Sequence, residues 1–221
     1  ATTAASFSAD FVIGAVDGTA TEEVMAGYSY QIDLSTSFTG EDSFDVSIDA
    51  GNETFAQLDL NTGSDALTVD GIAYTFPLGD KVTAFVGSDM DGSTLYSTAC
   101  VYGGVTNTLD DCGNGSSAMA GNAGTTAVAA GASFDIGNGF TAAVGYTGDG
   151  TTEGLLTKEG LDTYGGQLTY TADSYGASVT YANVESADDT TYWGLNGYWT
   201  PAETGTAVPS ISVGYELGDP T

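Results

Sequence analysis

Strict alternation of apolar and polar residues, in segments of about eight to eleven, is the feature that most limits what this chain can fold into. Phe44, Val46 and Ile48 alternate with Asp45, Ser47 and Asp49, and Ile72, Tyr74 and Phe76 alternate with Gly71, Ala73 and Thr75. Tyr164, Leu168 and Tyr170 share one parity while Thr163, Gln167 and Thr169 share the other; Tyr175, Ala177, Val179 and Tyr181 repeat the pattern, as do Trp193, Leu195 and Trp199. A period of two gives each strand one apolar and one polar face, and no stretch carries a convincing helical period. The pattern predicts about twelve strands, roughly at 5–15, 23–36, 42–50, 54–61, 66–76, 81–88, 125–135, 140–148, 162–171, 175–184, 190–199 and 208–217.

The connections add an asymmetry. From Leu67 onward the short stretches PLGD (77–80), IGNG (136–139) and ADS (172–174) alternate with long polar ones at 89–124, 149–161 and 185–189. Short turns at one end and long loops at the other are the signature of a membrane-spanning up-and-down barrel, and a tilted strand crossing the hydrocarbon takes roughly 9–11 residues. Aromatic residues gather toward strand ends, as Tyr28 and Tyr30, Tyr170 beside Tyr175, and Tyr198 with Trp199; rings at headgroup level form the girdles of such barrels. A soluble β-sandwich would carry the same alternation. Its outer face, however, normally mixes basic and acidic residues.

Here the charge balance decides. The chain of 221 residues has 30 carboxylates against two basic residues, Lys81 and Lys158, and no histidine, for a formal net charge of −28. Phosphate-rich partners need Lys and Arg, so nucleic-acid binding is excluded, and histidine-based catalysis and His metal sites are absent by composition. Thirteen Tyr, nine Phe and two Trp remove the chain from the class of acidic disordered proteins. The Gly-rich turns lack the Lys and the following helix of a phosphate cradle. No cofactor and no catalytic role are expected. The N-terminus, Ala1-Thr2-Thr3-Ala4-Ala5, lacks the charged and apolar regions of a signal peptide, so a mature or trimmed product is expected. Residues 1–221 are read as one β-barrel domain, which in a trimmed product is part of a longer barrel.

Cys100 and Cys112 flank eleven residues with the look of a surface loop. Without further Cys or any His a zinc site is implausible; a loop disulfide in an oxidising compartment is the favoured reading, two free thiols the alternative. The same loop, 89–124, is the best candidate for a segment that folds into the barrel or covers its surface. Asp45, Asp49 and Asp59 fall on the inward parity, where carboxylates around a wet lumen favour cations; two lysines are too few to build a basic counter-wall. Asp89, Asp91, Asp110, Asp111, Asp188 and Asp189 lie in acidic loops, solvated or weakly bridged by Ca²⁺ or Mg²⁺, without the alternate-position spacing of a calcium loop. Asn52-Glu53-Thr54 and Asn114-Gly115-Ser116 match the N-glycosylation pattern, which means little in a bacterial chain.

The stretch from Tyr30 to Asn52, with its LSTSFTGEDSFDVSIDAGN core, resembles cyanobacterial-type outer-membrane porins related to carbohydrate-selective porins. YTFPLGD (74–80), LLTKEGLDTYGGQLTYTADSYGASVTYA (155–182), YWGLNGYWTP (192–201) and PSISVGYELGD (209–219) extend the resemblance over about two thirds of the chain, in the family's order, but not through 82–124. The resemblance implies a passive diffusion channel, trimeric, passing inorganic ions and small nutrients. Family members carry an N-terminal surface-layer-homology domain and a spacer before a barrel of more strands. Neither is found in these residues, and no family constriction residue matches a position here.

The expectation is therefore an all-β, antiparallel up-and-down β-barrel of about twelve or more strands. Its function is that of a bacterial outer-membrane porin, a homo-oligomer in contact with lipid and lipopolysaccharide, whose acidic lumen passes ions and small solutes with a preference for cations. A second expectation, from another class, is an extracellular fibre or surface-layer subunit polymerising by strand addition, with Ala4–Val16 as the inserting strand. A third is a secreted carbohydrate-binding or glycan-active sandwich.

Overall fold

The computed structural model describes residues 2–15, 23–52, 64–97, 127–150, 154–157, 160–185, 189–202 and 208–220. It contains eleven strands and, among the described residues, no helix: β1 (Thr3–Gly14), β2 (Met25–Thr36), β3 (Ser43–Gly51), β4 (Ser64–Pro77), β5 (Val82–Ser88), β6 (Val128–Gly137), β7 (Phe140–Gly148), β8 (Asp162–Thr171), β9 (Tyr175–Glu185), β10 (Thr190–Trp199) and β11 (Ile211–Pro220). They form one sheet in which every strand pairs antiparallel with its sequence neighbours, in the order β1 to β11. The strand expected at 54–61 lies outside the described residues, and β3 pairs directly with β4.

Alternation becomes architecture because register is kept from strand to strand. Phe7 faces Ile32, which faces Ile48; Val144 faces Gly166, which faces Tyr181; Leu168 faces Val179, Val179 faces Leu195, and Leu195 faces Tyr215. The result is one uninterrupted apolar face across all eleven strands. It is left in the open: Phe11, Val144, Leu168, Leu195 and Val213 are all exposed. A water-soluble sheet buries such a face, and a surface this extensive marks a lipid or protein contact.

Two aromatic belts bound that face. Near the short turns lie Phe44, Tyr74, Phe76, Phe140, Tyr170, Tyr175 and Trp199, with ring centroids 4.8 Å apart for Phe140–Tyr170 and 5.3 Å for Tyr74–Phe76. Tyr28, Tyr146, Tyr164, Tyr181 and Trp193 form the other belt, where the rings of Tyr181 and Trp193 meet edge to face at 5.0 Å. Phe140 and Tyr146, Tyr164 and Tyr170, Tyr175 and Tyr181, and Trp193 and Trp199 are each six residues apart. That spacing corresponds to about 20 Å of strand at roughly 3.4 Å per residue. Several belt tyrosines donate their hydroxyls to carboxylates: Tyr28 to Asp65 at 2.9 Å, Tyr164 to Glu185 at 2.6 Å, Tyr146 to Asp162, and Tyr74 to Asp42 at 2.8 Å. Tyr198 does not join its neighbour Trp199 in the belt: it pairs with Gly176 on the opposite face, where a Cβ on Gly176 would meet its ring at 2.5 Å.

The turns follow the local chemistry. Asn138 and Gly139 both hold positive φ (55° and 84°), the two-residue geometry that matches strand twist. In the Ser37–Asp42 turn, one Asp42 oxygen accepts from the backbone amides of Phe38 (3.0 Å) and Thr39 (2.8 Å) and from the hydroxyls of Ser37 and Thr39. The Thr39 amide above all, with the hydroxyls of Tyr74, Ser37 and Thr39, holds its carboxyl well below the usual carboxylate range.

Candidate functional site

The second face of the sheet carries the segment 89–97 and is the inner one. Its residues differ along the sheet. On β1 to β3 the inward positions are Ser6, Ser8 and Asp10, then Gln31, Asp33 and Ser35, then Asp45, Ser47 and Asp49. Asp33 is the hub, accepting from Gln31 Nε2 (2.8 Å), the Ser47 hydroxyl (2.8 Å) and the Ser6 hydroxyl (3.4 Å). Asp45 accepts from Ser43 and Asp49 from Thr68, both at 2.7 Å.

On β4 the parity slips. Gly71 faces Ser47, yet Val69 faces Ile48, so Asp70 is an extra residue in a β-bulge. It stands within electrostatic reach of Asp33, Asp49, Asp89 and Asp91.

After β5 the chain turns inward. Asp89 adopts positive φ (52°), and its amide donates to the Ala127 carbonyl at 2.8 Å. One carboxylate oxygen of Asp89 is buried without a partner, and burial pushes its carboxyl up. Met90 then covers the inward glycines Gly71 and Gly87. Two reverse turns follow, with the Thr94 amide bonded to Asp91 O (3.1 Å) and the Tyr96 amide to Ser93 O (2.7 Å). Tyr96 ends buried against Ala143 and Ala182, and its phenol is pushed up by that burial. Between segment and sheet lies a cavity of about 570 Å³ whose lining includes Ser47, Asp70, Asp89, Asp91, Ser93 and Tyr96.

From β6 to β9 the inner face is uncharged through most of its height: Ala129 and Gly131, Ala143 and Thr147, Thr163 and Gln167, Ser178, Thr180 and Ala182. Most of these are buried, Thr180 and Ala182 completely. Among the described residues, no group of three or more His, Cys, Asp or Glu is placed to hold a metal ion.

The sequence-predicted residues fall as follows. Asp45 and Asp49 lie on the inner face of β3; Asp89 and Asp91 belong to the loop expected to fold inward, and the structure brings them to Asp70. Asp189 precedes β10 at the long-loop end. Asp59, Cys100, Cys112, Asp110, Asp111 and Asp188 lie outside the described residues. Sequence reasoning missed Asp10, Asp33 and Asp70. The first two share the polar parity of their strands. Asp70 was legible as a phase slip, since Leu67 and Val69 are odd where Ile72, Tyr74 and Phe76 are even.

No protein-family model matches the chain, and no curated protein matches it. Solved structures do. Two mutants of the Rh. blastica porin superpose with TM-scores of 0.57, covering 99% of this chain and 85% of that one at 12% identity. A third mutant of that porin, at 0.56, covers the same shares. The chain thus has a porin-like, antiparallel up-and-down β-barrel fold, with β1 and β11 as the two strands that have one neighbour each among the described residues.

Proposed function

We propose that this chain is a passive diffusion channel of a bacterial outer membrane, passing small hydrophilic solutes with a preference for cations. The observation that carries this reading is the opposition of the two faces. An exposed apolar band between two aromatic belts suits hydrocarbon bounded by headgroups. The polar inner face, with carboxylates on four adjacent strands and on the segment 89–97, suits a wet lumen that concentrates cations and repels anions.

Asp33, Asp45, Asp49, Asp70, Asp89 and Asp91 supply the field, and no reaction is assigned to them. The channel works as a homo-oligomer, a trimer under the resemblance to cyanobacterial-type porins, with acidic loops able to take Ca²⁺ or Mg²⁺ weakly.

Single-channel recording in a planar bilayer under a salt gradient tests the proposal. Discrete steps with a reversal potential of cation sign are expected. Anion sign would remove the role given to the carboxylates, and silence from folded protein would remove the channel. One observation favours a second reading: β1 is exposed on both faces along most of its length and, among the described residues, pairs only with β2, as a subunit built by strand addition requires. Filaments in negative-stain images would support it; discrete particles would not.

A further inference from the structure

We propose that Gly145, together with Gly92 and Gln167, is a seat that positions the segment 89–97 and so sets the aperture of the channel. The inference rests on the channel reading, but the seat has its own readout.

Gly131, Gly145, Gly165 and Ala182 face one another in turn across β6, β7, β8 and β9, all on the inner parity. A trough with nothing longer than a methyl group therefore crosses the wall at one level. Parts of the chain fill it. Phe85, 1% exposed, lies over Gly131, where a Cβ would stand 2.6 Å from its ring. The backbone of Gly92 lies over Gly145 so closely that a Cβ there would sit 1.8 Å from the Gly92 carbonyl oxygen and 2.6 Å from its carbon. Tyr96 packs over Ala143 and Ala182.

A tether follows directly. The Ser97 amide donates to Gln167 Oε1 at 2.8 Å. Gln167 is itself fixed, because its Oε1 also accepts from Thr169 Oγ1 at 2.9 Å and its Nε2 donates to Thr180 Oγ1 at 3.2 Å. Tyr96 and Ser97 are thus held to the neutral wall, while Asp89 and Asp91, earlier in the segment, share the cavity with Asp70.

Contacts to Cβ atoms below 3.0 Å essentially do not occur, so any side chain at 145 lifts Gly92 off the wall by more than an ångström. The lifted segment enters the lumen without any change of charge. Gly145 is accordingly a positioning residue, and its effect separates conductance from selectivity.

The test uses the full chain. Gly145→Ala is expected to lower single-channel conductance roughly twofold or more while the cation-to-anion permeability ratio does not fall. Gly166→Ala, where a Cβ meets nothing closer than 3.4 Å, stays at the parent conductance. Independently, the Ser97 amide exchanges slowly in the parent and roughly tenfold faster in Gln167→Leu, which removes its acceptor. A folded Gly145→Ala channel with parent conductance overturns the proposal, as does a Ser97 amide that exchanges equally fast in parent and Gln167→Leu. If Gly145→Ala does not fold, the exchange measurement decides alone. A silent parent overturns the channel reading instead, and Ser97 exchange still decides the seat.

Discussion

From β1 to β3 the inward side chains at mid-height are Ser, Gln and Asp, mostly half-buried or exposed; from β6 to β9 they are mainly Ala, Gly, Thr, Ser and Gln, mostly buried. Both stretches share one sheet, one register and the same apolar exterior. The difference is what each wall meets. The first faces open space and can keep carboxylates hydrated, each relayed through a hydroxyl or amide such as Ser47 or Gln31. The second receives the segment 89–97, so its residues give up water and must be small or neutral, since an unpaired charge there would be costly. The polar half of the alternation thus encodes two surfaces: one open to water, one for the chain itself.

The largest expected effect comes from exchanging their characters. Ala182 is fully buried beneath Tyr96, and Ala182→Asp places a carboxylate there with no counter-ion, costing ~3 kcal/mol or more. Ser35→Asp adds the same charge to the open wall, where Ser35 is exposed, and should cost below about 1 kcal/mol. Urea unfolding in detergent micelles compares the two, and equal losses would mean the walls do not differ in solvation.

Next comes selectivity. Neutralising Asp33, Asp49 and Asp70 together as Asn should lower the cation-to-anion permeability ratio about three- to tenfold, the difference shrinking as salt rises. On the covered wall, Thr163→Val removes a buried hydroxyl that has no partner, so it should leave the ratio unchanged and stability equal or about 1 kcal/mol higher. Reversal potentials for both variants, taken with unfolding curves, decide whether the two walls divide the labour in this way.

Acidification should divide the carboxylates further. Burial raises Asp89, so it loses its charge above the usual carboxylate range of about 4. Cation preference is then expected to begin falling at a pH where exposed carboxylates are still ionised, and Asp89→Asn should diminish that early phase. The stability sign agrees: with its folded pKa raised, Asp89 favours the folded state once protonated and loses that contribution as pH rises through its folded pKa.

How much of this was readable in advance depended on the range of the contacts. Alternation and Gly/Asn turn chemistry are local, and they located Ser43–Gly51, Phe140–Gly148 and Asp162–Thr171 to within a residue or so. The inward parity of Asp45 and Asp49 followed from the same rule. Asp33 obeys that rule too. Asp70 needed attention to a slip of phase inside 66–76, where a single uninterrupted strand was expected. The seat was the least legible part. Gly92 and Gly145 meet 53 positions apart in sequence with no side chain between them, and no local pattern marks one glycine as the partner of another.

The smallest effect is expected where the contrast between the walls disappears, at the short turns. There the aromatic belt passes along both stretches, and Tyr74 joins belt to turn by donating to Asp42. Tyr74→Phe removes that one bond but keeps the ring against Phe38 and Phe76, so Tm should fall by only a few degrees, with conductance and permeability ratio at parent values. The pH dependence runs opposite to that of Asp89. Asp42 has a lowered carboxyl, so the stability it brings is present above the ordinary carboxylate value and is lost as pH falls through its own depressed pKa. The Tm difference between parent and Tyr74→Phe should therefore persist through the range in which Asp89 is protonated and close only in stronger acid. If it instead vanished together with the loss of cation preference, turn and inner face would be one electrostatic unit, and the separation of the belt from the two walls would not hold.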